Sequence, residues 1–167
     1  PLLARLWQAA LEARDVVGLP PAPLLSAPAP PRRDSAPIVE AAPVRASGAR
    51  GFDAYLVQAA NRTGVPSAVL ATVIEAESGK RRDGSWDPLS RNPRSTAAGL
   101  GQFLRRTWIG EAERPGTALN AHARARGWLG ANGKVRTEAQ AALLDLRFDP
   151  SMAIHAVADF VKKGLSR

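Results

Sequence analysis

The chain has 167 residues, 45% of them hydrophobic, and a formal net charge of +8. That length holds one domain of ordinary size plus an extension. The lack of cysteine excludes disulfides and thiolate metal sites, and no apolar run reaches the roughly 18 residues of a membrane span. The two histidines, His122 and His155, lack metal-ligand spacing, so neither a metal nor a cofactor is expected. The first residue is Pro1, which reads as the start of a processed product or a fragment.

Residues 1–18 predict a short helix, with Leu2, Leu3, Leu6, Trp7, Ala10 and Leu11 on one side. It packs on the domain or belongs to an upstream part. Residues 19–48 carry 8 of the 14 prolines, mixed with alanine and serine. Such a Pro/Ala-rich linker cannot form a packed core and is expected to be extended and disordered. The domain proper is expected over residues 49–167. Asp53 is placed to cap a helix through Tyr55, Leu56 and Ala59 that ends at Gly64.

The next helix is expected from Pro66, a first-turn residue, to Gly79, a C-terminal cap. Leu70, Val73 and Ile74 form its buried stripe, and the next position on that stripe is Glu77. A carboxylate at the inner end of an apolar stripe is costly to ionise, so its pKa should lie above the ordinary carboxylate range. Such a group can act as a general acid. The bland alternative is a glutamate that caps the helix or pairs with an arginine. Glu75 falls on another face, with Ala68, Ala71 and Thr72, and is expected to be solvated.

Residues 80–97 predict a polar loop, and Leu100, Phe103, Leu104, Thr107 and Trp108 predict one side of a third helix. A weaker helix is expected over 117–129, then a turn at Gly130-Ala131-Asn132-Gly133-Lys134. Thr137 is placed to cap a helix through Ala142, Leu143 and Leu146. Asp149-Pro150 starts a last helix through Ile154, Val157, Ala158 and Val161. With no sustained alternation, the fold class is mainly α.

Glu77-Ser78-Gly79, then Ser95-Thr96-Ala97-Ala98-Gly99-Leu100-Gly101-Gln102-Phe103 and Thr107-Trp108, resemble the lytic transglycosylases of the lysozyme-like superfamily. That family's signature is Glu-Ser followed, after a loop, by Gly-Leu-x-Gln at the start of the next helix. The match covers roughly residues 52–165, and Leu144 to Pro150 resembles a later segment of a Gln-Phe subgroup. The resemblance implies a lysozyme-like helical domain in the periplasm or cell envelope that cleaves peptidoglycan glycan strands. It also admits a partner in an envelope-spanning machinery. Thr96 stands where the commoner pattern has glycine. The family's later cleft-floor segment has no obvious equivalent before Arg167, so a truncated C-terminus or an open cleft is expected.

By position, the resemblance makes Glu77 the catalytic acid and Ser78 a residue that orients its carboxylate. Gly99, Leu100 and Gln102 match Gly-Leu-x-Gln: glycine lets backbone approach the sugar, and Gln102 offers a donor and an acceptor to acetamido groups. Phe103 is a candidate cleft wall, although its spacing from Leu100 and Leu104 suits the core better. Trp86, in a polar loop, is a candidate sugar platform, whereas Trp108 suits core packing. Asp83 and Asp87 are the candidate second acids of a lysozyme-type hydrolase, or simply loop residues.

Charge supports the same class of partner. Residues 1–48 contribute +1 and the domain +7. A basic domain favours a polyanion, which fits the carboxylates of the cell wall. It also fits nucleic acid, but the basic residues are spread out, without a nucleic-acid motif, so none is expected. Arg81-Arg82 and Arg105-Arg106 flank the candidate site. Three functions stand: a transglycosylase, a hydrolase on the same fold, and a non-catalytic wall-binding module.

Overall fold

The computed structural model divides the chain into two units, Pro1–Pro43 and Val44–Arg167. It describes residues 48–166, within the second unit. The expected N-terminal helix and all but the end of the linker lie outside the described residues. Among the described residues the structure is mainly helical and forms no strand, only isolated bridges such as Lys80 to Trp86 and Ala98 to Phe103.

The helices are α1 (Asp53–Thr63), α2 (Ser67–Glu77), α3 (Arg105–Glu113), α4 (Ala118–Ala125), α5 (Gln140–Asp145) and α6 (Pro150–Leu165). Short 3-10 turns, Thr137–Ala139 and Leu146–Phe148, flank α5. The central element is α6. It buries Ala153, Ile154, Ala156, Val157 and Ala158, a wide apolar surface that packs against α1, α2 and α4. Its start follows the expected chemistry: Asp149 caps it by accepting from the Met152 amide at 2.7 Å, with Pro150 in the first turn. Gly64 ends α1 in the left-handed region, as expected, and donates to the Ala60 carbonyl at 2.8 Å.

Three local expectations are corrected. Asp53 opens α1 without a capping bond; Phe52 holds the cap position. Thr137 lies inside a 3-10 turn and caps nothing, and α5 is a separate short helix. The third helix begins at Arg105, so residues 99–104 are not helical. Gly99 has φ +76° and Gln102 has φ +45°, which a right-handed helix cannot accommodate. The Gln102 amide instead closes a turn onto the Gly99 carbonyl at 3.2 Å. As a result Leu104 is 40% exposed, whereas Leu100, Phe103 and Trp108 are core.

A buried polar node ties three helices together. Asp159 of α6, 5% exposed, accepts from Arg62 Nη1 of α1 and from the Ala118 amide of α4, each at 2.8 Å. The carboxylate thus offsets both a guanidinium and the positive end of a helix. Asp159→Ala leaves both donors without their acceptor and is expected to destabilise the domain by roughly 3 kcal/mol. Urea unfolding measures this; a change within 0.5 kcal/mol, or about a typical surface effect, would discount the node.

Candidate functional site

The buried side of α2 consists of Leu70, Ala71 and Ile74, and it continues to Ser78, which is 8% exposed. Helical geometry carries the deepest line through positions four apart, 70, 74 and 78. Glu77, next to that line, is half-buried as a residue with its Oε1 oxygen buried, and Val73 is likewise half-buried. Glu77 is the last residue of α2. That placement sets the carboxylate beside the apolar core. The Ser78 hydroxyl donates to the Gly79 carbonyl at 2.9 Å. Its proton serves the backbone, which corrects the expected role of orienting the glutamate.

Ser90 joins the two halves of the motif. A Cβ on Gly79 would meet Ser90 Oγ at 2.5 Å, so this loop lies directly on the end of α2. Gln102 Nε2 donates to the Gly99 carbonyl at 2.8 Å and to Ser90 Oγ at 3.3 Å, and the Gly99 amide donates to the Ser90 carbonyl at 2.9 Å. Residues 77–79 and residues 99–102, some twenty positions apart, thus meet across one serine. The left-handed backbone of Gln102, unusual for a side-chain-bearing residue, stores strain of about 1 kcal/mol. Such strain is typical of positions held for function.

Gly99 is buried, and its role differs from the expected one. A side chain there would overlap the Arg147 carbonyl oxygen. The close approach is to protein backbone rather than to a sugar. Leu100, fully buried, and Phe103, 3% exposed, are core residues and not cleft walls. Phe103 packs edge-on against Trp108 and Phe160 at 5.3 and 5.9 Å between centroids. Trp108 donates its indole proton to the Leu143 carbonyl at 2.7 Å.

Trp86 is also corrected. It is fully buried, stacks on Phe52 at 5.4 Å, and donates its indole proton to Glu75 Oε2 at 2.6 Å. It offers no face to a glycan. Glu75 is correspondingly half-buried, not solvated, and also pairs with Lys80 at 3.3 Å. Burial pushes its pKa up, but the bonds from Trp86 and Lys80 outweigh this and hold it below the ordinary value. Since the folded pKa is the lower one, this contribution to stability is full above the ordinary glutamate value and is lost as pH falls through the folded one. Trp86→Phe removes the indole donor. It should lower stability by about 1–2 kcal/mol near neutral pH and shrink the loss seen on acidification below pH about 4.5, as read from denaturant midpoints. An unchanged acid profile would discount the Glu75 account.

The two aspartates build turns. Asp83 accepts from the Ser85 amide at 2.9 Å and hydroxyl at 2.6 Å, bonds that lower its pKa. Asp87 accepts from the Leu89 amide at 3.0 Å and lies 3.9 Å from Arg81. These bonds give both a loop-forming role. Among the described residues no group of three His, Asp or Glu could hold a metal ion, and no helix is long and apolar enough to cross a membrane. His155 Nδ1 accepts from Arg62 Nε at 3.2 Å; burial, then Arg62, lowers its pKa.

Two of the depressions among the described residues lie elsewhere. One, of about 680 Å³, is lined by Arg62, Arg114, Arg124 and Lys162, and another, of about 480 Å³, by Thr96, Arg105, Arg106 and Ile109. Neither includes Glu77. The first is the larger, but its carboxylate, Asp159, is already engaged, so it offers no acid for chemistry. The chain matches no family model, no curated protein and no solved structure.

Sequence reasoning missed Ser90 and Arg147. Arg147 is 8% exposed and donates to the carbonyls of Thr96, Phe103 and Leu144 at 2.7, 3.3 and 3.1 Å. Burial, then the nearby Arg91 and Arg105, lowers its pKa. Neither residue carries a local signal, because the contacts that tie Ser90 to Gly99 and Gln102, and Arg147 to Thr96 and Phe103, join separate segments of the chain.

Proposed function

We propose that this protein is a lysozyme-like peptidoglycan lytic transglycosylase acting in the periplasm or cell envelope. The observation that supports it is the junction at Ser90 between the end of α2, which carries Glu77, and the turn that carries Gln102. In this reading the glycan lies across that junction. Glu77, protonated, donates to the oxygen of the β-1,4 bond between N-acetylmuramic acid and N-acetylglucosamine as an oxocarbenium-like state develops. The resulting carboxylate then accepts the proton of the muramic C6 hydroxyl as that oxygen closes onto C1. The product carries a 1,6-anhydro ring, and neither water nor a second carboxylate takes part. Gln102 Nε2 is turned to Ser90 and Gly99, which leaves its amide oxygen to accept from an acetamido N–H.

The turn-building roles of Asp83 and Asp87 favour this chemistry over a hydrolase, which needs a second group to activate water or stabilise the cation. Mass spectrometry of fragments released from purified peptidoglycan tests the reading. Anhydromuramic ends are expected. Reducing ends, heavier by one water, would make the enzyme a hydrolase. No release from folded protein would make it a binding module.

A further inference from the structure

Arg91 and Arg147 converge on one aromatic ring beside the Ser90 junction, and Arg105 lies near enough to act on Arg147 through space. The Arg147 guanidinium lies 5.9 Å from the centre of the Phe148 ring, and the Arg91 guanidinium lies over the same ring at 4.2 Å. On another side, Arg147 Nη1 donates to the Thr96 carbonyl while the Arg105 amide donates to the Thr96 hydroxyl at 3.2 Å. Phe148 thus joins the guanidiniums of Arg91 and Arg147, and Thr96 links the Arg147 guanidinium to the backbone of Arg105. The Arg105 guanidinium donates to the neutral Gln140 amide at 3.1 Å.

Among the described residues none of the three arginines forms an ion pair. Of the nearby acids, Asp145 is exposed and acts on Arg147 only through space. Glu113, which lines the same groove as Arg105, is held by Lys134 at 2.9 Å and by the Val135 amide at 3.1 Å. Like charges gathered without a counter-charge repel one another and cost stability. A bound anion reverses that sign, and a planar guanidinium suits a carboxylate fork to fork.

We propose that Arg91 and Arg105, over the buried charge of Arg147, bind a carboxylate of the peptide stem that peptidoglycan carries on its muramic residues. This rests on the wall-cleaving reading for its ligand. The location is consistent with it: Arg91 follows Ser90 in the chain, and the Arg147 backbone abuts Gly99. A glycan lying over the Ser90 junction brings its stem to this patch. Arg91 and Arg105 are exposed and make the contact; Arg147, buried, supplies field and holds the floor.

The test is a calorimetric titration of the full chain with a soluble disaccharide-tetrapeptide and with the same fragment after all its carboxyl groups are converted to amides. The wild type is expected to bind the acid form about tenfold more tightly. R91A/R105A should lose that preference, and R91K/R105K should keep most of it. An equal preference in R91A/R105A and wild type overturns the proposal, as does failure of the wild type to bind either form. Tighter binding of inorganic phosphate than of the acid fragment overturns the choice of a carboxylate. Carboxylate preference without strand cleavage would sink the enzyme reading and leave this site standing. Cleavage without the preference would do the reverse.

Discussion

Glu77→Gln will lower the release of soluble fragments from purified peptidoglycan by about 10²–10⁴-fold, the usual contribution of a positioned general acid. The substitution keeps the shape of the side chain and removes only its capacity to carry a proton and a charge. Its position argues against collapse of the fold. Glu77 closes α2 and is half-buried, and an anion at a helix C-terminus opposes the macrodipole. Neutralising it should therefore leave the thermal midpoint near its wild-type value. Fragment release measured by mass spectrometry, beside a thermal melt, separates the outcomes. A folded variant with wild-type release would end the assignment of Glu77 as the acid. A folded variant that still binds glycan but releases nothing would support it.

Gly99→Ala will destabilise the domain strongly, by roughly 3 kcal/mol or more. Two penalties coincide. The backbone at φ +76° is one that alanine adopts only with strain, and the added Cβ would overlap the Arg147 carbonyl oxygen. That carbonyl belongs to a residue anchored by its own side chain to Thr96 and Phe103, so it cannot yield without disturbing residues 96–103. A loss of this size lowers the melting midpoint by about 10 °C or more in a domain of this length. A melt within two degrees or about that of wild type would show that the contact relaxes freely. Because Gly99 carries the turn that presents Gln102, the variant should also lose fragment release below its melting point. That would separate it from a purely global effect.

Much of the helical framework was legible from residue types and spacing. Asp149-Pro150 and Gly64 act locally, through the backbone groups of one or two turns, and the structure places them as those rules require. The apolar periodicity of α6 was equally plain, since a helix buried on several sides carries hydrophobic residues on several sides. The juxtaposition of residues 77–79 with residues 99–102 was legible only as a resemblance. Nothing in either segment says that Ser90 lies between them.

Trp86 and Glu75 show where sequence reasoning falls short. Trp86 stands in a polar loop and Glu75 off the buried stripe of its helix, and alone each would be solvated; together with Phe52 they form a buried stack and an indole-to-carboxylate bond. The pairing satisfies both polar groups at once, which is what makes their burial tolerable. Leu100 to Leu104 shows the opposite failure. Their spacing suits a helix, but Gly99 and Gln102 in the left-handed region break it and delay α3 to Arg105.

The sequence by itself determined the helical class, several helix ends, the domain's excess of positive charge and the candidate acid at position 77, because these depend on interactions within a few residues or on composition. Only the tertiary structure decided that the buried line of α2 ends on Ser78 beside a half-buried Glu77, that Gly99 serves the Arg147 backbone, and that Arg91 and Arg147 meet at the Phe148 ring. Those outcomes depend on partners up to about fifty residues away, and the energy of such a contact is set by where the chain returns.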